Sequence, residues 1–311
     1  MIELYSTRAN PMIDPAIHLW GWEIPIYLFL GGLVAGMMVI SGFFLLSPRY
    51  RSSRCACFLL PALGLVLLSA GMFALFLDLE HKPFFWRLYT TFEPTSPMSW
   101  GSWILLLVYP ALAANLLLGA AHLDERWPRL KAYSERLLER RALVRGVGIA
   151  NMVLGGALGI YTGILLSTLG ARPLWSSAVL GPLFLASGLS SAAAFVHLVA
   201  REREERELLA KADNGFLVAE LFLIALYVIG LATTAGASRA ALGLLMGGPF
   251  TAVFWVFVVG LGIAVPLVIQ PLATLHKIPH TPLAPILVIA GGLILRFVIV
   301  YAGQASHWSP V

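Results

Sequence analysis

The sequence predicts an all-α integral membrane protein, an eight-transmembrane-helix bundle with both termini periplasmic. Three observations predict it. Apolar residues make up 59% of the 311 residues and charged ones only 12%, whereas soluble domains are about 25% charged. Long uncharged runs recur from end to end, each near the roughly 20 residues that span a bilayer. Lys and Arg gather in alternate connections, as membrane topology requires. Residues 1–311 therefore read as one transmembrane domain with no sizeable soluble part.

Eight runs are expected as helices, at roughly 20–46, 56–79, 101–121, 146–170, 174–199, 215–235, 250–270 and 283–301. Backbone polar groups in lipid must be paired within the chain, so the runs are helical. The first is WGWEIPIYLFLGGLVAGMMVISGFFLL. It follows Glu3, Arg8 and Asp14 and far exceeds a signal-peptide core, so it is expected to be retained. Gly32 and Gly36 stand at the GxxxG spacing that lets another helix approach closely. The seventh run is interrupted by Pro266.

The odd-numbered connections hold Arg49, Arg51 and Arg54, then Arg126 to Arg145, then Arg201 to Lys211, then Lys277. Fifteen basic residues lie there against five on the other side. The positive-inside rule makes those loops cytoplasmic and places the protein in a bacterial inner membrane. The stretch HLVAREREERELLAKADN mixes Arg and Glu at helical spacings and reads as a solvated helical extension. Net charge of +5 follows from these loops and is no sign of nucleic-acid binding. Cys55 and Cys57 are too few for a disulfide framework or a closed metal site.

The outer stretch EHKPFFWRLYTTFEPTSPMS carries three prolines and five aromatics. It reads either as an interfacial aromatic belt or as a platform for a partner subunit. GGLVAG and LGGALGI, in the first and fourth runs, are a weak sign of internal repetition.

Orientation assigns each polar residue a depth. Glu23 and Tyr27, four apart and so on one helix face, lie near the outer surface. Asp78, Glu80, His81, Tyr161 and Arg172 share that layer, with Arg296 deeper. An inner set comprises Asn115, Asn151, His197 and Glu220. Polar groups inside membranes are costly and mark ion or proton routes. The plain structural alternative for Asn115 and Asn151 is interhelical hydrogen bonding, and His197 is placed where it can simply meet the interface. Carboxyl, phenol, imidazole and indole groups beside glycine-rich helices suit an amphiphilic ring with carbonyl or hydroxyl groups. A quinone fits, because its redox cycle needs hydrogen-bonding groups and proton donors or acceptors within reach.

Several stretches together resemble the NrfD/PsrC family of quinone-interacting membrane subunits. They are WEIPIYLFLGGLVAG, FLDLEHKPFFWRL with FEPTSPMSWGSW, IYTGILLS, ARPLW with GPLFLASGL, and LRFVIVYAGQ. They run in order over nearly the whole chain, and eight helices with outside termini agree with the polysulfide reductase branch. The resemblance implies a subunit exchanging electrons with menaquinone or ubiquinone near the periplasmic side, without haem or metal of its own. It implies a periplasmic four-cluster ferredoxin-like iron–sulfur partner, joined to a molybdopterin catalytic subunit or a multihaem cytochrome. By the same resemblance the quinone pocket falls on Glu23, Tyr27 and Tyr161, with Asp78 facing quinone and partner and His18 and Arg172 as neighbours. Other members carry different polar residues around Glu23.

Together these readings lead to one expectation. A quinone site is formed by Glu23, Tyr27, Asp78 and Tyr161, and Glu220, Asn115, Asn151 and His197 form a proton path to it from the cytoplasm. Two rivals remain. A membrane cytochrome b would need paired histidine ligands at common depth, and of the seven histidines only His122 and His197 form a plausible inner pair. A secondary transporter would show symmetric broken helices, and none is evident. Terminal substrate, direction of electron flow, and proton coupling are not written in the sequence.

Overall fold

A computed structural model describes residues 20–47, 53–123, 127–168, 170, 172–200, 202–234, 236–274 and 281–308. His18 lies outside them, as do Arg49, Arg51, Arg126, Arg201 and Lys277. Among the described residues eight helices are long and apolar enough to cross a membrane. They are α1 (Glu23–Leu46), α2 (Cys55–Asp78), α3 (Pro97–His122), α5 (Arg141–Thr168), α6 (Leu180–Val199), α7 (Arg203–Thr233), α9 (Val253–Leu272) and α10 (Leu283–Ala305). Two shorter helices, α4 (Pro128–Leu138) and α8 (Gly236–Gly243), lie in connections.

The expected runs and the helices differ at their ends for local reasons. The third span begins at Pro97, inside the aromatic stretch, because proline is tolerated in a first helical turn. The fifth begins at Leu180 rather than at residue 174. The chain before it is held in turns by tertiary bonds: Tyr227 donates to the Leu174 carbonyl at 2.6 Å, and the Trp175 indole to the Ile299 carbonyl at 2.9 Å. The sixth is a continuous helix from Arg203. The charged stretch before residue 215 is indeed helical, yet it is not solvated throughout, since Glu205 and Asp213 are buried. In the seventh, backbone bonds reach five residues back over Val253–Ala264, and the helix tightens around Pro266 without ending there.

Helix α1 is the most deeply buried span and packs on α2, α5, α6 and α10. Its glycines make this possible. A methyl group added at Gly188 of α6 would fall inside the radius of the Gly32 carbonyl oxygen, and one at Gly155 of α5 would lie 2.7 Å from that of Ala35. Helix association in lipid has no hydrophobic driving force, so this backbone proximity supplies the packing energy. A comparable seam joins Gly262 of α9 to Gly291 of α10.

An even number of spans brings both chain ends to one face. Here they are tied together. The Trp20 N–H donates to Gln304 Oε1 at 3.1 Å, and Gln304 Nε2 returns a bond to the Trp20 carbonyl at 3.0 Å. Trp20 also stacks on Trp175 with ring centroids 5.1 Å apart. The opposite, basic face carries the connections α1–α2, α3–α5, α6–α7 and α9–α10.

Three outcomes follow for thermal unfolding in detergent. Gly188→Val forces α6 from α1 and should lower stability by about 1–3 kcal/mol, the usual cost of overpacking. Gly156→Ala, where added bulk meets open space, should not lower it and should raise it by up to about 1 kcal/mol through helix propensity. Gln304→Leu removes both bonds to Trp20 and should cost about 1–3 kcal/mol, as each net hydrogen bond contributes about 1 kcal/mol.

Candidate functional site

Four of the predicted site residues meet at one corner of the face that carries the termini. Glu23 opens α1, where a carboxylate is favoured by the positive end of the helix dipole. Asp78 closes α2 and lies within electrostatic reach of Glu23 and Lys82. One turn deeper, Tyr27 is buried against Gly71 of α2. It is near enough to Tyr161 of α5 and to Tyr89 of the aromatic loop to feel both phenols.

Tyr161 reaches across to α3. Its ring and hydroxyl lie where a side chain on Gly101 would have to be, so the missing Cβ makes room for the phenol. Tyr161 also lines a cavity of about 590 Å³ between α3 and α5, with Pro97, Trp100, Ile104 and Ile160 among its walls. The lining is almost wholly apolar, and a ring of carbonyl-bearing character would find few polar partners there besides this phenol. Such a pocket, apolar with few placed polar groups, suits a small hydrophobic ligand.

The aromatic loop folds over this corner. Ser102 donates to the Leu88 carbonyl at 2.7 Å and the Trp100 indole to that of Pro94 at 2.8 Å. Phe92 packs on both Trp100 and Trp103, and Arg87 stacks over Phe84 at 4.6 Å. Half-buried Tyr89 has its phenol pushed up by burial and, secondarily, by Tyr109. Phe84, Phe85, Trp86 and Phe92 nonetheless stay exposed on its outer side.

Arg172 is placed elsewhere. It is fully buried and donates to the Ser306 carbonyl at 2.8 Å, with His307 Nδ1 at 3.1 Å, so it fastens the C-terminal segment.

The inner set divides between two seams. Asn115 donates to Ser41 at 2.8 Å, and Asn151 to the carbonyls of Ala111 and Val147 at 3.0 and 2.9 Å. These bonds join α1, α3 and α5. Glu220 stands apart on α7, facing α6 and α10. Ser187 hydrogen-bonds its carboxyl group and also receives a bond from Arg296 Nη1. Arg296, wholly buried, further donates to the carbonyls of Phe184 at 2.9 Å and Gly292 at 3.1 Å and lies over the Phe184 ring. His197 sits partly buried near the basic-face end of α6.

Two turns from Glu220 towards the basic face, Asp213 is buried as well. Ser190 donates to one of its oxygens at 2.8 Å and Gln270 to the other at 2.6 Å. Asp213, Gln270, Ser190, Ser187, Glu220 and Arg296 thus form a polar chain through α6, α7, α9 and α10. Its last member comes within 3.1 Å of where a Gly32 Cβ would be, five residues or about 7.5 Å along α1 from Tyr27. Sequence reasoning missed Asp213 and Gln270, the first because it ends a charged run. The signal was Ser187, Ser190 and Ser191, whose spacing puts three hydroxyls on one face of α6. Arg296, grouped by depth with the outer layer, belongs to this polar chain. Among the described residues no three His, Cys, Asp or Glu side chains converge as a metal site requires.

The chain matches the family model described as polysulphide reductase, NrfD, over residues 11–306. It is 33% identical to protein NrfD of Escherichia coli over 93% of this chain and 96% of that protein. It is 30% identical to one chain of the polysulfide reductase of Wolinella succinogenes, over 92% of this chain and 94% of that one. One subunit of the selenate reductase of Mesobacillus selenatarsenatis is 24% identical over 99% of this chain and 80% of that protein. With its eight apolar spans and a match across nearly its whole length, the chain is a multi-pass membrane protein belonging to the NrfD polysulphide reductase family.

Proposed function

We propose that this chain is the membrane anchor and quinone-reactive subunit of a bacterial respiratory oxidoreductase complex, set in the inner membrane with its basic face to the cytoplasm. The observation that carries the proposal is Tyr161. It is a phenol at the wall of a lipid-depth apolar cavity, beside a second buried phenol and beneath two outer carboxylates. Menaquinone or ubiquinone supplies a couple of two electrons and two protons when bound. Tyr161 and Tyr27 hold its ring oxygens, and the apolar walls of α3 and α5 exclude water from the ring. Glu23 and Asp78, at the mouth, hold and pass protons between that corner and the outer solvent. By the resemblance His18 is a further quinone neighbour, whereas Arg172 acts at a distance by securing the segment after α10.

The exposed aromatics of residues 84–92 form the seat for a periplasmic iron–sulfur subunit of the four-cluster ferredoxin kind. A cluster of that subunit would be brought to the same corner to exchange electrons with the quinone, and a molybdopterin subunit or multihaem cytochrome would perform the terminal reaction. Two relatives named as parts of reductases support membership of such a complex. Glu220 serves a proton route from the basic face. Its bonds through Ser187 to Arg296, with Asp213 two turns nearer the basic face, favour that seam, while Asn115 and Asn151 contribute from α3 and α5 and His197 from the basic-face end of α6.

Tyr161→Phe keeps the ring against Gly101 and removes the hydroxyl. Quinol-dependent turnover of the purified complex should fall at least tenfold, about 1.4 kcal/mol of barrier; unchanged turnover removes Tyr161 from the mechanism. Glu220→Gln, in liposomes carrying the whole complex, should abolish proton translocation while electron transfer continues. Retained translocation at normal turnover would route the protons elsewhere.

A further inference from the structure

A second cavity, of about 460 Å³, opens on the basic face between the start of α2 and the α6–α7 junction. Nothing in the proposed redox chemistry uses it. Its polar wall is formed by Ser53, Arg54, Glu202 and Glu205, and its apolar wall by Phe58, Leu59 and Val199, with Cys55 at the edge of both. Arg54 and Glu202 are exposed, whereas Glu205 is buried and hydrogen-bonded to Ser53. Ser53 also accepts the Ala56 N–H at 3.1 Å, which fixes the hydroxyl at the first turn of α2.

The arrangement has a vertical order. Charged groups sit where the spans end, and the apolar wall begins within a turn of them, at the depth of acyl chains. One guanidinium and the N-terminal end of α2 favour a phosphate. Two carboxylates and the C-terminal end of α6 favour a cation with N–H donors. The ligand therefore carries a phosphate and an ammonium on one short head, with hydrocarbon below. We infer that this cavity binds an ethanolamine phospholipid from the basic-face leaflet. A choline head lacks N–H donors for Glu202 and Glu205. A glycerol head lacks the cation, and a serine head adds a carboxylate against two others.

Cys55 makes the site readable. With Cys57→Ala it is the single thiol, since the chain has two cysteines. The full-length protein is placed in nanodiscs of phosphatidylcholine alone, or with added phosphatidylethanolamine or phosphatidylglycerol, and its alkylation by N-ethylmaleimide is timed. Phosphatidylethanolamine should slow Cys55 alkylation about tenfold, as expected when lipid stands near ten times its dissociation constant. The other two lipids should not. Arg54→Ala and Glu202→Ala, both at exposed positions, should each restore the fast rate in phosphatidylethanolamine. Equal rates in all three lipids, or equal protection by phosphatidylglycerol, overturns the assignment. Protection by soluble phosphoethanolamine in phosphatidylcholine discs overturns the lipid as its source.

Discussion

The structure depends on how closely α1 lies against its neighbours. Gly32 and Gly188 bring α1 and α6 to backbone contact, and Gly155 does so for α5 and Ala35. This closeness does more than pack helices. It brings Arg296 of α10 against the bare Gly32 position and holds Tyr27 beside Tyr161. Both the outer phenol corner and the buried polar chain are defined by their distance from one helix. Any side chain larger than hydrogen along that seam would move the two sites relative to each other.

Arg296 shows how a lipid-spanning bundle tolerates a cation. A buried charge must find its partners within the protein. Three carbonyl or hydroxyl oxygens from two helices and the Phe184 ring face supply them, with Glu220 one serine away. The carboxyl and guanidinium groups share Ser187, whose hydroxyl donates to the first and accepts from the second.

Much of the fold was legible. Run length and hydropathy marked all eight spans, while several ends shifted: tertiary bonds hold Leu174 outside a helix, proline chemistry starts one at Pro97, and polar turns extend others back to Arg141 and Arg203. The outer corner was legible in part. Glu23 and Tyr27 share a face by spacing, and depth brought Asp78 and Tyr161 to the same layer. Lateral placement was not legible, because periodicity gives depth and face but no neighbours. Hence Asn115 and Asn151 read as companions of Glu220 although they lie on another seam. Asp213 stayed hidden for a different reason: a run of Arg and Glu reads as solvated, and only the Ser190 and Gln270 bonds reveal that its last acid turns inward.

The pairing of Trp20 with Gln304 has a consequence for biogenesis. The ribosome delivers the two residues at opposite ends of synthesis, 284 positions apart. Until the last span is inserted, Trp20 at the start of α1 lacks Gln304 and Arg172 lacks the Ser306 carbonyl. The latch therefore closes only once α10 has been inserted.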